Sequence, residues 1–290
     1  SLATTATIGL VALPEMRSRG YSDALATGSV AAGGTLGQMI PPSGALIVFG
    51  IIAEQSIGTL FTAAIVPGLT QMLSYFLVIA LLVAWRPRLA PLLPRAPWRE
   101  RFAALRRVVD LGVLVLVVTG GIALGWVTPS EAAAVGAAGA FAICALRGRL
   151  NRATVFKALA ETLKTSGLIY LVIVGALIFA AFISVTGLTD SIGRGIASLG
   201  LGPVGTMLLV AMFLLIVGSV LDGLALMLLT TPILLPLVTN LGLSPIWFGI
   251  FLVRSMEIGF VHPPIGMNLY VIHGIARDIS VMTIFRGVSP

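Results

Sequence analysis

Gly37-Gln38-Met39-Ile40-Pro41-Pro42-Ser43-Gly44 and Gly259-Phe260-Val261-His262-Pro263-Pro264-Ile265-Gly266 share the pattern G-x-x-x-P-P-x-G. Each proline pair sits inside a long apolar run, residues 24–53 and 246–276. A Pro-Pro pair removes two backbone N–H donors and bars helical geometry from the residue before it. Flanking glycines permit unusual dihedrals and close backbone approach. Both runs therefore predict helices that are interrupted midway. The same offset pairs Pro14 with Pro236. After a shift of two residues, Gly50-Ile51, Glu54, Ser56 and Phe61 match Gly274-Ile275, Asp278, Ser280 and Phe285. Matches that keep one order along the chain mark an internal repeat.

The apolar setting extends over the whole chain. Of 290 residues, 58% are hydrophobic and 10% charged, and the mean hydropathy is +1.07. Soluble domains carry about 25% charged residues. That shortfall excludes a soluble enzyme, a disordered chain and a nucleic-acid module. A single cysteine, Cys144, excludes an internal disulfide and a cysteine-rich metal site. The chain opens on Ser1 in what reads as the middle of a helix, with no cleavable signal peptide, so a piece of a longer protein is expected.

A bilayer core takes about 20 apolar residues as a helix. Stretches 64–85, 110–127, 131–146 and 166–187 meet or approach that length. Stretch 203–238 is interrupted at Gly218-Ser219 and Asp222-Gly223 and reads as a re-entrant hairpin. Residues 1–14 read as the returning arm of an equivalent hairpin. All 18 Lys and Arg except Arg194 and Arg254 fall in 15–23, 86–107, 147–164 and 277–286. Basic residues beside spans mark cytoplasmic loops. Loops 54–63, 128–130 and 239–245 contain none and fall on the other side. Helix 24–53 thus starts at the basic side and helix 246–276 ends there, so the two repeats are inverted. Inverted repeats with broken helices are the architecture of secondary transporters, with the site near the midplane. The expected class is an all-α polytopic membrane protein with re-entrant hairpins and Pro-Pro-broken helices. Its regions are 1–63 (first repeat), 64–165 (scaffold helices with the basic connector 86–107), 166–202, 203–276 (second repeat) and 277–290. No aromatic or glycine pattern accompanies the arginines of 86–107, so no nucleic-acid partner is expected.

Interrupted helices free backbone carbonyls within the hydrocarbon layer, where unsatisfied polar groups survive only when buried or lining a site. Freed carbonyls and hydroxyls suit a dehydrated Na⁺, while half-helix N-termini suit an anionic group. Arg254 and Glu257 lie three apart on one helical face. Charges at that depth are functional or paired, so they read as a mutual ion pair or, for Arg254, as an anchor for a substrate carboxylate. Asp222 reads as a helix cap or as an ion or substrate contact. Glu131 follows Thr128-Pro129-Ser130 and reads as a first-turn cap. His262 adjoins the second break, and His273 reads as a packed helix residue. No nucleophile–base pair is evident, so neither catalytic residues nor an enzyme is expected.

Several runs resemble the large membrane subunit of tripartite ATP-independent periplasmic (TRAP) transporters. They are Thr4-Thr5-Ala6-Thr7-Ile8-Gly9, Ala12-Leu13-Pro14-Glu15-Met16, Gly33-Gly34-Thr35-Leu36-Gly37 to Ser43, Glu54-Gln55-Ser56-Ile57-Gly58, Thr128-Pro129-Ser130-Glu131, and Glu257-Ile258-Gly259 through Pro263-Pro264-Ile265-Gly266-Met267-Asn268. The resemblance runs nearly end to end, with family members longer at both ends. It implies a Na⁺-driven importer of organic acids in a bacterial inner membrane, working by elevator motion. It implies two partners, a small membrane subunit and a periplasmic substrate-binding protein. Carried over residue by residue, it implies Na⁺-site candidates at Ser1, Thr4, Gly37, Pro41 and Ser43 in the first repeat. In the second they are Ser219, Gly223, His262, Pro263, Gly266 and Asn268. Substrate candidates are Arg254, Asp222 and Glu257. His262 departs from the family, which commonly has threonine there; either the imidazole replaces the hydroxyl or the second ion site is altered. The competing readings are a related elevator carrier that works without a binding protein, and a channel or passive scaffold subunit. The substrate stays open among C4-dicarboxylates, sialic acid and other carboxylates.

Overall fold

The computed structural model describes every residue except 1, 92–94, 96, 107, 263 and 264, and every described side chain except those of 190 and 197. The expectations placed on Ser1, Pro263 and Pro264 therefore lie outside the described residues. In chain order the helices are α1 (Leu2–Ser18), α2 (Asp23–Gly33), α3 (Leu36–Met39), α4 (Gly44–Ile52), α5 (Ile57–Trp85), α6 (Trp98–Arg106), α7 (Val109–Ala123) and α8 (Pro129–Leu146). They continue as α9 (Arg152–Thr186), α10 (Leu188–Ser198), α11 (Pro203–Gly218), α12 (Gly223–Asn240), α13 (Pro245–Gly259), α14 (Met267–Ile275) and α15 (Val281–Val288). A single 3₁₀ turn, Pro87–Leu89, follows α5. Among the described residues there is no strand. Four helices, α5, α8, α9 and α12, are long and apolar enough to cross a membrane, and α2–α3 with α4 forms a fifth candidate bent by 42°.

Serine caps set many helix starts. Ser22, Ser43, Ser56, Ser244 and Ser280 each accept a backbone N–H of the first turn. Such a cap contributes about 0.5–2 kcal/mol. Ser22 and Ser244 stand at the repeat offset, as do Ser56 and Ser280 after its shift.

The expected elements need three corrections. Stretch 166–187 is the second part of a 35-residue helix, α9, that begins at Arg152. Residues 152–164, read as a basic loop, are helical because Asn151 Oδ1 accepts Thr154 N–H at 2.8 Å and the following Ala, Leu, Lys and Glu are good helix formers. The connector 187–202 contains a helix of its own, α10, with apolar and polar faces segregated. Stretch 24–53 is broken twice, at Gly34-Thr35 and at residues 40–43.

The chain divides into two compact units, residues 1–93 with 182–290, and residues 94–181. In the first unit, the repeats exchange partners. Hairpin arm α1 packs on α2 and on α14, the half-helix beyond the second break. Its counterpart α12 packs on α13 and on α4, the half-helix beyond the first break. Likewise α15 packs on α2, and α5 on α13. The fold thus maps onto itself when the repeats are swapped. Glycines permit the closest crossings. Gly28 and Gly287 meet backbone to backbone, as do Gly218 and Gly259, where an added Cβ on Gly259 would stand 2.8 Å from the Gly218 carbonyl carbon. Phe49 and Phe248 join the repeats edge to face, with centroids 6.1 Å apart. Leu13, Val30, Leu269 and Ile272 form a buried cluster shared by both.

The second unit pairs α7 with α8. Arg147 Nη2 bridges to Asp110 Oδ2 at 2.7 Å. Glu131 closes a reciprocal capping box with Thr128, as read from the sequence. Large apolar side chains such as Leu116, Phe156 and Tyr170 face outward, as helices covered by lipid or partner helices do.

Candidate functional site

In an uninterrupted helix the carbonyl of residue i accepts the N–H of residue i+4. At the first break Thr35 N–H turns to Ala32 O at 3.0 Å. Ala31 O is left for another donor, and Asn268 Nδ2 reaches it at 3.2 Å from the second repeat. The Asn268 backbone N–H bonds Phe260 O at 3.1 Å, across the second break. One fully buried residue therefore bonds at the Gly34-Thr35 interruption and across the break in the second repeat, while the Pro41-Pro42 interruption is met by other groups.

Pro42 supplies no N–H to Gln38 O, and the Ser43 hydroxyl takes that carbonyl instead while accepting Leu46 N–H at 3.2 Å. Pro41 leaves Gly37 O without its helical donor for the same reason. Across from these carbonyls lies the start of α1. Thr4 Oγ1 stands 3.4 Å from where a Cβ of Gly37 would be. Thr5 is wholly buried against Gly34, and its hydroxyl has no partner.

The second hairpin tip seats against the end of α13. Gly223 is buried, and a Cβ there would come within 2.7 Å of Met256 Cε and 2.8 Å of the Phe260 ring. Ser219 is fully buried and donates to Ile216 O at 2.8 Å. Asp222 is exposed and accepts Leu224 N–H at 3.0 Å, the cap reading of the two weighed for it. Gly266 takes a left-handed φ of +60° at the start of α14. His262 lies exposed at the break, and His273 Nδ1 is tied to Ile279 O at 2.8 Å.

Arg254 Nη1 stands 3.6 Å from Glu257 Oε2, and its Nη2 donates to Pro67 O of α5 at 3.1 Å. The structure thus brings Thr4 to Gly37, Ser219 and Gly223 to the end of α13, and Asn268 to both breaks. It ties Arg254 to Glu257 and α5. Reading the sequence missed Thr5, and it missed Gln71 and Tyr75. Gln71 Nε2 bonds the Tyr75 hydroxyl at 2.9 Å and Thr35 Oγ1 at 3.3 Å, holding the first break from α5. The available signal was two polar side chains four apart on one face of an apolar span. No group of three or more His, Cys, Asp or Glu able to hold a metal occurs among the described residues.

The family model for the DctM component of tripartite ATP-independent periplasmic transporters matches residues 1–290. The C4-dicarboxylate TRAP transporter large permease protein DctM of Pseudomonas aeruginosa is 36% identical, over 93% of this chain and 63% of that protein. An isethionate TRAP transporter permease protein from Oleidesulfovibrio alaskensis is 34% identical, over 95% of this chain and 43% of the relative. The sialic acid TRAP transporter large permease protein SiaM of Vibrio cholerae is 31% identical over the whole chain and 67% of its own length. The chain therefore spans 63% of the first of these relatives and 43% of the second. All three are named as transporter permeases, not as enzymes.

Proposed function

We propose that this chain, which belongs to the DctM component family of tripartite ATP-independent periplasmic transporters, forms the substrate- and ion-carrying part of a large permease subunit importing an organic acid. It is an all-α, multi-pass bacterial membrane protein, and we assign it to the inner membrane. The observation that carries the reading is Asn268, whose side chain bonds Ala31 O at the Gly34-Thr35 interruption of the first repeat and whose backbone bonds across the break of the second. Two interrupted helices locked together this way make a paired unit that can hold freed backbone oxygens away from lipid.

Na⁺ is the coupling ion in this reading. The unpartnered Thr5 hydroxyl and the Gly37 carbonyl fit oxygen ligation at the first break, and Thr4 stands beside them. Ser219, Gly223, Gly266 and Asn268 border the second site. The relatives' names cover a dicarboxylate, a sulfonate and a sialic acid, all of them organic anions. An anionic cargo suits the half-helix N-termini of α4 and α14. The paired breaks travel as one body, by elevator motion, past helices that stay fixed. A small membrane subunit and a periplasmic binding protein complete the transporter, and the binding protein sets most of the specificity.

The test is uptake into proteoliposomes by the full-length permease with both partners. Uptake should collapse when choline replaces Na⁺, and uptake indifferent to Na⁺ rejects the coupling. Transport of free substrate without any binding protein would favour the alternative, an independent elevator carrier.

A further inference from the structure

Among the described residues, Glu257 is the charged side chain that the fold buries, at 1% exposure. Neither of its carboxyl oxygens has a hydrogen-bond donor. Arg254 does not supply one. Its Nη1 stops 3.6 Å short of Oε2, and its Nη2 is committed to Pro67 O. The Gln71 side chain and the Met39 backbone lie against the carboxyl without reaching hydrogen-bond geometry. Gln71 is itself 5% exposed. Its Nε2 is turned to Thr35 and Tyr75, and its Oε1 has no partner. The Glu257 carboxyl and Gln71 Oε1 are thus buried acceptors without donors, on two side chains that lie against each other. Buried polar groups are almost always satisfied, and a buried charge without donors is costly. A neutral carboxylic acid carries an O–H donor, and one proton satisfies both groups while needing no cavity.

We propose that Glu257 is a proton-binding site: its carboxyl takes a proton from water and donates it in a hydrogen bond to Gln71 Oε1, and releases it when Arg254 leaves the Pro67 carbonyl to pair with the carboxylate. Arg254 lies on α13 itself, and Tyr75 is the titratable group of α5. Helices α3, α4, α11 and α12, which also pack on α13, contain no Asp, Glu, His, Lys or Arg. Asp222, just before α12, is exposed and engaged by Leu224 N–H. Arg254 is therefore the charged partner that decides the state. Because Gln71 and Tyr75 also bond Thr35, a change at the carboxyl is coupled through Gln71 to the Gly34-Thr35 interruption. Acidic side chains buried in transporter spans serve as proton relays elsewhere.

The test is infrared difference spectroscopy on the full-length permease with its small membrane subunit in lipid, in H₂O and D₂O across a pH series. A protonated-carboxyl C=O band that shifts in D₂O and vanishes in Glu257→Gln is the expected result. Gln71→Met should move that band to higher frequency by removing its acceptor, and this variant decides the matter if Glu257→Gln fails to assemble. Uptake by the wild type should fall about tenfold per pH unit above the band's titration, the slope of one proton, and Glu257→Gln should lose that slope. A band unchanged in either variant, or no such band at any pH, overturns the proposal and leaves Glu257 a carboxylate paired with Arg254. Only the uptake measurement rests on the transporter reading, so a failure of Na⁺ coupling leaves the infrared result standing.

Discussion

Single atoms decide whether the paired breaks hold an ion or merely pack. The Thr5 hydroxyl is enclosed beside Gly34 with nothing to bond. Valine has nearly its shape, so Thr5→Val removes an oxygen and leaves the packing. Full-length permease carrying Thr5→Val should need at least about tenfold more Na⁺ for half-maximal uptake, a loss of about 1.4 kcal/mol of binding. An unchanged Na⁺ curve would leave Thr5 a packing residue. Glycines make a separable prediction. At Gly259 a Cβ meets Gly218 backbone, which cannot rotate aside. Gly259→Ala should cost about 1–3 kcal/mol, as overpacking does. Gly274, in α14, has nothing within 4 Å of an added Cβ, so Gly274→Ala should leave the melting temperature unchanged or raise it by the helix-propensity gain of up to about 1 kcal/mol. Thermal melts of the two purified variants check the contrast.

At the scale of elements, repeat, breaks and inversion are written in local chemistry: Pro-Pro within apolar runs, Ser caps at matched offsets, basic loops on one side. The partner exchange of α1 with α14 and α12 with α4 is not, because contacts between distant helices leave no local periodicity. The start of α9 was hidden for a different reason. Charge marks a loop and a solvated helix turn alike, and only the Asn151 cap tells them apart. Pairing at the basic ends of the repeats was equally invisible. Arg17 Nε stands 3.1 Å from Asp23 Oδ1, and its Nη2 bonds Asp278 Oδ2, joining α1, α2 and the connector after α14. The Arg17 guanidinium holds the Asp278 carboxyl below the usual carboxylate range. A depressed folded-state value stabilises the fold above the unfolded carboxylate pKa, and that contribution disappears as pH falls through the folded one. The melting temperature should therefore drop on acidification into that window, and less so in Asp278→Asn. High salt should shrink the difference, since the pair is solvent-exposed.

At the scale of the molecule, everything turns on where the tips lie in the bilayer. Helix α11 has 16 residues and α12 has 18, so they measure about 24 and 27 Å at 1.5 Å per residue. A hydrocarbon core is about 30 Å thick. By length α12 can cross and α11 falls just short, and a hairpin entering from one face would leave the Val220-Leu221 tip inside, beside the end of α13. Single cysteines in a full-length permease freed of its native cysteines, Cys144 included, locate each end. Cysteines replacing Gln55 and Leu243 should react with a bulky, impermeant maleimide from the outer face. Those replacing Arg19 and Arg277 should react only after the inner face is opened. A cysteine at Val220, half exposed in this fold, should resist the bulky reagent from both faces yet react with a small permeant thiol reagent. If it instead reacted from the inner face as fast as the one at Arg277, α11 and α12 would be complete crossings. The second break would then lose its matching tip near the midplane, and the reading of two symmetric, lipid-shielded ion sites would fail with it.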